Sequence, residues 1–292
     1  MQSFFKNTRY VFGSIWHEQS NRNQRVKRLL LFFGWQLWKR VVRQSVVVRL
    51  FNGLRFRVYP DCQASSAVMY ARIPDSRNIL HLRAHIPGGT LIDVGANVGF
   101  ISLLLADKVQ HGILFEPNPT AAARARENLA LNDLNFEVHE LALSDATATV
   151  DFEDEGGVST CNRTVVGFST QLPIRRVSCT QLDRFLAEHP LPYPISVVKI
   201  DVEGHENHVL RGMMQCLRQS RPRLIMFEYL QRTDLHETFG IFEMAGYTVM
   251  HLTPNGVEIA GPEVRPLQDL FACPNELLGE FTTECPEKLL SH

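Results

Sequence analysis

Thr90–Phe100 reads TLIDVGANVGF and Gly112–Thr120 reads GILFEPNPT, and the two runs are built alike. Each is a short apolar strand of the buried parallel type that ends on a carboxylate, Asp93 in the first and Glu116 in the second, and then breaks into a turn. Outward from them the alternation continues. Gly99–Lys108 reads as a helix, and Pro119–Thr120 opens an Ala- and Arg-rich helix toward Leu131. Phe136–Leu143 alternates as a third strand, and Ser196–Ile200 and Arg223–Phe227 are two more, separated by a helix over His205–Leu217. Tyr247–His251, Val257–Ile259 and Leu270–Ala272 read as closing strands. Strands alternating with helices predict a doubly wound α/β sheet.

Such sheets bind ligands at the carboxyl ends of their strands, where strand order reverses. An acidic or polar group stands at each of the five ends: Asp93, Glu116, Ser144 with Asp145, Asp201 with Glu203, and Glu228. The first turn, Asp93-Val-Gly95-Ala-Asn97-Val-Gly99, places Asn97 where a dinucleotide fingerprint needs its second glycine, and no phosphate-cradling P-loop is present. The turn therefore suits a nucleoside-containing ligand without a pyrophosphate, of which S-adenosylmethionine is the common one. Its tail can lie along Gly95 and Gly99, while Glu116 stands at the next strand's end to accept the ribose hydroxyls. A tight structural βα connection and a solvated loop acid are the plain alternatives.

The fourth strand leads into Asp201-Val-Glu203-Gly204-His205-Glu206. His205 is the best base of this turn by intrinsic pKa, about 6.5, with Asp201 or Glu203 available to orient it; helix-start decoration is the alternative. Asp201 also suits an N-cap. Lys199, inside an apolar strand, needs a carboxylate partner, since an unpaired buried ammonium is costly. Glu228 reads as a structural or substrate-orienting acid. Asp201, Glu203 and Glu228 can instead gather a hard cation such as Mg²⁺.

The chain has 292 residues, 45% hydrophobic and 21% charged, enough for a sizeable core. Thirty Lys and Arg against 31 Asp and Glu argue against a nucleic-acid binder. The six cysteines form no C-x-x-C pair, which points to reduced thiols and a cytoplasmic location. Before the main domain, Asn52-Gly53 sits between two β-rich runs of Val46–Pro60 and suits a type I′ hairpin turn. Ser65–Leu82 adds a helix or two. Leu29–Trp38 (LLLFFGWQLW), flanked by Arg25, Lys27, Arg28, Lys39, Arg40 and Arg43, is too short to span a bilayer. It is either a helix packed on the main domain or an interfacial helix making peripheral contact, through residues 25–43, with the inner face of a membrane.

DVGANVGF (Asp93–Phe100), FEPNP (Phe115–Pro119), ENLALN (Glu127–Asn132), ALSD (Ala142–Asp145) and above all KIDVEGHE (Lys199–Glu206) resemble the FkbM-type S-adenosylmethionine-dependent methyltransferases. The resemblance, which does not extend to Met1–Pro87, implies a Rossmann-like methyltransferase sheet, mostly parallel with an antiparallel strand near the C-terminus, and the N-terminal helix and β-hairpin precede it as an extension. It implies O-methylation of a hydroxyl on a sugar, polyketide, glycan or other small-molecule acceptor, with Asp145 meeting the adenine amino group. The expected organisation is an extension over 1–86, the methyltransferase domain over 87–275 and a tail over 276–292. Two other readings are a nicotinamide-dependent oxidoreductase, disfavoured by Asn97 and by the lack of a Tyr-x-x-x-Lys pair, and a non-catalytic S-adenosylmethionine-binding module.

Overall fold

The computed structural model describes residues 12–13, 15–153, 174–261, 263–266 and 268–282. Cys161, Cys285 and most of the expected C-terminal tail lie outside them. The extension comprises helix α1 (Arg25–Val41), strands β1 (Val46–Arg49) and β2 (Arg55–Val58), and helices α2 (Gln63–Tyr70) and α3 (Ser76–His85). The central alternation follows as β3 (Thr90–Val94), α4 (Phe100–Leu105), β4 (His111–Phe115), α5 (Pro119–Ala130) and β5 (Glu137–His139). After it come β6 (Ala142–Leu143), β7 (Ala148–Glu153), β8 (Ile174–Thr180), α6 (Leu182–Glu188), β9 (Ile195–Ile200) and α7 (Glu206–Arg211). The chain closes with β10 (Leu224–Tyr229), α8 (Leu235–Met244), β11 (Tyr247–Thr253), β12 (Gly256–Ile259), β13 (Gln268–Pro274) and α9 (Leu278–Thr282).

Eight strands form the main sheet in the order β12-β11-β13-β10-β9-β3-β4-β5. The run from β10 to β5 is parallel, and β13 enters antiparallel between β10 and β11. The sheet is doubly wound as expected. Every residue of β3 and β9 is buried, because helices cover both faces of these central strands. Their side chains divide by the two-residue period of a strand. Ile92, Val94, Val198 and Ile200 join Phe185 of α6, Val209 of α7 and Phe242 of α8, whereas Leu91 and Val197 join Leu82 of α3 on the other face.

The chain winds outward from β3 through β4 to β5, then returns to lay β9 on the opposite side of β3. Strand order therefore reverses between β3 and β9, and their carboxyl ends open one crevice. Asp201 N–H donates to Val94 O across it at 3.1 Å.

Three local expectations differ. Phe136–Leu143 is two strands: β5 ends at His139, Leu141 N–H turns back onto His139 O at 2.9 Å, and β6 joins a separate three-stranded sheet of order β6-β8-β7. The helix expected over His205–Leu217 ends at Arg211, and a π-type turn follows at Cys216–Ser220. The hairpin forms, but Leu50 N–H pairs with Leu54 O at 2.8 Å around a three-residue loop in which Gly53 alone takes a positive φ, 87°. This is a type I turn closed by a left-handed glycine rather than a I′ turn. The outer edge of β2 is sewn to α5 and the turn that follows it: Asn128 Oδ1 accepts from Arg57 N–H at 2.8 Å, and Asn132 Oδ1 accepts from Arg55 N–H at 2.7 Å. Those two asparagines belong to the ENLALN segment. The described cysteines Cys62, Cys179, Cys216 and Cys273 are buried free thiols.

Candidate active site

The loop after β3 holds three left-handed residues in five: Gly95 (φ 74°), Asn97 (φ 51°) and Gly99 (φ 75°). Asparagine is among the few side chains that accept this conformation readily. The fold-back aims Asn97 N–H at Glu116 Oε2, 2.8 Å away, and Asn118 N–H meets Oε1 of the same carboxylate at 2.8 Å. Asn118 also caps α5, its Oδ1 accepting from Thr120 N–H at 2.9 Å just before the Pro119 turn becomes helix. Glu116 thus pins two strand-end loops together. It is only 7% exposed, yet a carboxylate has about four acceptor positions, so two remain for a ligand's vicinal hydroxyls. Burial lifts its carboxyl to about 7, although the two N–H donors and Lys199 pull the other way.

Behind this loop lies a buried ion pair. Lys199 Nζ sits 3.2 Å from Asp93 Oδ1 and 3.5 Å from Asp201 Oδ2, and it donates to Gly95 O at 2.7 Å. Ser102 Oγ–H fills the other oxygen of Asp93 at 2.6 Å. Burial alone would lower the ammonium's pKa; Asp93, Asp201 and Glu116 reverse that and raise it. The carboxylate partner that the sequence demanded is therefore Asp93, with Asp201 second.

The acidic turn is shaped by a residue that the sequence reading passed over. Glu206 is fully buried, and its Oε1 accepts from Gly204 N–H at 2.9 Å and Val202 N–H at 3.3 Å. The carboxylate reaching back onto N–H groups ahead of its own helix explains why Glu203 (φ 55°) and Gly204 (φ 97°) can bend sharply. Arg232 braces Glu203 from outside, donating to its carbonyl and lying 3.4 Å from Oε2. Asp201, Glu203 and Glu228 each offer a carboxylate oxygen within 4.8 Å of the others. Burial first, and then Asp201, raise Glu203 to about 7 and Glu228 to about 8.

His205 departs from expectation in its partners and its basicity. Its Nε2 lies 2.9 Å from Ser144 Oγ, not against Asp201 or Glu203, and its ring stacks on His208 at 4.0 Å. Burial, and then His208, push it down to about 4, well below the ordinary 6.5. It stands at the N-cap of α7, where its side chain makes no capping hydrogen bond. Asp201 is not that helix's N-cap.

A cavity of about 270 Å³ gathers Gly95, Asn97, Glu116, Lys199, Asp201, Glu203 and His205 in its walls. Asp93, Gly99, Asp145 and Glu228 do not line it. Asp93 stands behind Lys199. Gly99 starts α4, where a Cβ would just touch Ala125 at 3.4 Å. Asp145 is held by Arg211, with Oδ2 2.9 Å from Nε and 2.8 Å from Nη2. Ala64 and Ala67 of α2, with Phe100, Ile101, Phe115 and Leu141, supply the apolar wall. No polar motif marks those residues, and the two alanines come from the extension.

Residues 93–249, just over half the chain, match the Methyltransferase FkbM domain. The 2-O-methyltransferase NoeI of Sinorhizobium fredii is 30% identical over 168 residues, covering 52% of this chain and 67% of that protein. The hexuronic acid methyltransferase AglP of Haloferax volcanii is 30% identical over 128 residues, covering 44% of this chain and 51% of that protein. The chain thus spans about half to two thirds of the length of these curated relatives. Among solved structures, the precorrin-6y C5,15-methyltransferase of Geobacter metallireducens aligns over 68% of this chain and 87% of that one, at 13% identity and a TM-score of 0.41.

Proposed function

Because the chain belongs to the FkbM family of S-adenosylmethionine-dependent methyltransferases, we propose that it methylates a hydroxyl group of a sugar, free or within a glycan. One observation carries the reading: a buried carboxylate with acceptor positions to spare, Glu116, shares a single cavity with the acidic turn Asp201–His205. The names of the two relatives, a 2-O-methyltransferase and a hexuronic acid methyltransferase, support a sugar acceptor.

When bound, S-adenosylmethionine would supply an electrophilic methyl on its sulfonium, which the acceptor oxygen takes by in-line attack with S-adenosylhomocysteine as the leaving group. Glu116 would accept hydrogen bonds from its two ribose hydroxyls, and the Gly95–Asn97 backbone would hold its amino-acid tail. The turn takes up the acceptor: as the O–CH₃ bond forms and the S–CH₃ bond breaks, the hydroxyl proton passes to a carboxylate of the turn. Glu203 fits that role better than His205. A carboxyl at about 7 is a matched base at neutral pH, whereas an imidazole at about 4 is weak and already held by Ser144. Asp201 orients the hydroxyl, Glu228 supports the pair from outside the cavity, and His205 closes the wall.

The base form of Glu203 is ionised, so turnover should fall as pH drops below about 7 and level off above it. Glu203→Gln should lower the rate by about 10²–10⁴-fold and remove that limb. His205→Ala should cost clearly less. The assignment moves to the histidine if His205→Ala is the slower variant and its limb lies near pH 4 in the wild type.

Glu116→Gln should weaken S-adenosylhomocysteine binding by about tenfold to a hundredfold, the usual loss for charge-assisted hydrogen bonds. Wild-type affinity should strengthen between pH 6 and 8, as the carboxylate ionises around 7, and the variant should be flat. Calorimetry at both pH values reads this, and an unchanged affinity removes Glu116 from the site.

The mutual approach of Asp201, Glu203 and Glu228 favours a second reading, in which a hard divalent cation such as Mg²⁺ sits among them and holds the acceptor oxygen. EDTA separates the two: activity lost to the chelator and restored by Mg²⁺ supports the cation, and indifference supports Glu203 as base. Labelled S-adenosylmethionine offered with a panel of free sugars, glycans and polyketides tests the whole proposal. Label in polyketides alone would overturn the sugar acceptor.

A further inference from the structure

We propose that the outer face of α1 docks on the surface of an anionic lipid bilayer. The helix has two apolar sides. On the inner side Phe32 and Trp35 are buried, with Trp35 Nε1–H donating to Ser66 Oγ of α2 at 3.0 Å and Phe32 meeting the Tyr70 ring edge-on at 5.4 Å. On the outer side Val26, Leu30, Phe33, Leu37 and Val41 are 56–70% exposed. At about 100° per residue these five fall within an arc of about 80°, nearly opposite the buried pair. Isolated exposed leucines are ordinary; a row of five large apolar side chains along four turns of one helix marks a surface that meets something.

Charge identifies the occupant. The formal net charge of −1 conceals a strong asymmetry. Met1–Pro60 holds twelve Lys and Arg against the single acid Glu18, and the rest of the chain holds 18 against 30. Between Gln19 and Pro60 there are ten cations and no acid. Exposed Arg22, Lys27, Arg40 and Arg43 flank the row, with Arg40 at one edge of the arc and Lys27 just beyond the other. A second copy of this surface would bring cations against cations. An anionic lipid surface satisfies both features, taking the apolar row into the acyl boundary and the cations at the headgroups. Trp38, 38% exposed with its Nε1–H already satisfied by Gln44 O at 2.9 Å, has the apolar body and polar edge common at that depth. Among the described residues no helix is long and apolar enough to cross a membrane, so α1 would lie in the plane of the surface.

Docking does not depend on the proposed reaction and is read without it. The full chain is sedimented with vesicles of phosphatidylcholine, alone or mixed with phosphatidylglycerol. Retention on the mixed vesicles only, weakening as salt is raised, is expected. Leu30→Glu/Phe33→Glu/Leu37→Glu and Lys27→Glu/Arg40→Glu/Arg43→Glu should each lower the bound fraction by at least about tenfold. Both should keep the wild-type melting temperature and its upward shift with S-adenosylhomocysteine, since these side chains already face solvent. Three results would overturn the proposal: no retention on mixed vesicles, equal retention on neutral ones, or wild-type retention by both variants. A concentration-dependent dimer abolished by the apolar triple, without vesicle binding, would assign the face to a second copy instead.

Discussion

Lys199→Met is expected to destabilise the protein by about 3–5 kcal/mol, the cost of breaking a buried ion pair from one side. The lysine is 3% exposed and Asp93 is fully buried, so removing the ammonium strands a carboxylate with Ser102 as its remaining hydrogen-bond donor. The Gly95 carbonyl loses its 2.7 Å donor at the same time, and the glycine loop is released from β9. Urea unfolding of the variant measures the loss. The companion Asp93→Asn/Lys199→Met should recover much of it, because a neutral amide can stay beside Ser102 without a counter-charge. A single-variant loss below about 1 kcal/mol would show that water reaches the pair and that its burial does not govern its energy.

Gly95→Ala should lower turnover by at least about 10²-fold, the scale of a displacement of about 1 Å in a reacting site. A Cβ on Gly95 would lie 1.9 Å from the Asp201 carbonyl oxygen and 2.9 Å from its carbon, and the residue's φ of 74° is unfavourable for alanine. Neither neighbour is a flexible side chain that can swing away, so β3 and β9 must part where the crevice opens. Donor loop and acidic turn would then move relative to each other. Gly53→Ala provides the comparison: its φ is 87° but nothing lies within 4 Å of the added carbon. That change should cost about 1–2 kcal/mol of stability and leave turnover intact. Steady-state rates beside melting curves for both variants separate the two effects; equal turnover losses would mean that backbone strain, not the contact with Asp201, decides.

The parts of the architecture legible in the chain are those written in local periodicity. TLIDV and ISVVKI are uniformly buried and largely apolar because both sides of each strand are covered, and the acids at their ends, Asp93 and Asp201, mark the crevice. Phe136–Leu143 misled because alternation says nothing about which sheet a strand joins; the turn at Leu141 redirects the chain without changing the pattern. Lys199 could be assigned a partner from the energetics of a buried ammonium alone. His205 could not be read this way. Its basicity depends on burial and on His208, its hydrogen bond goes to Ser144, and neither the burial nor that contact, 61 residues away, is visible in a linear motif.

Ala64 and Ala67 contribute to the cavity from a helix that precedes the β3 loop by some two dozen residues of chain and belongs to the extension. The cavity is therefore assembled from two stretches that selection can alter separately. Methyl groups at this wall set the bore of the chamber, and longer side chains there would narrow it while leaving Glu116 and the acidic turn untouched. A lineage could retune which acceptors pass by editing α2 alone, with the transfer chemistry inherited unchanged. The converse also holds: a fragment beginning at Pro87 would carry the chemistry with one side of its vessel missing.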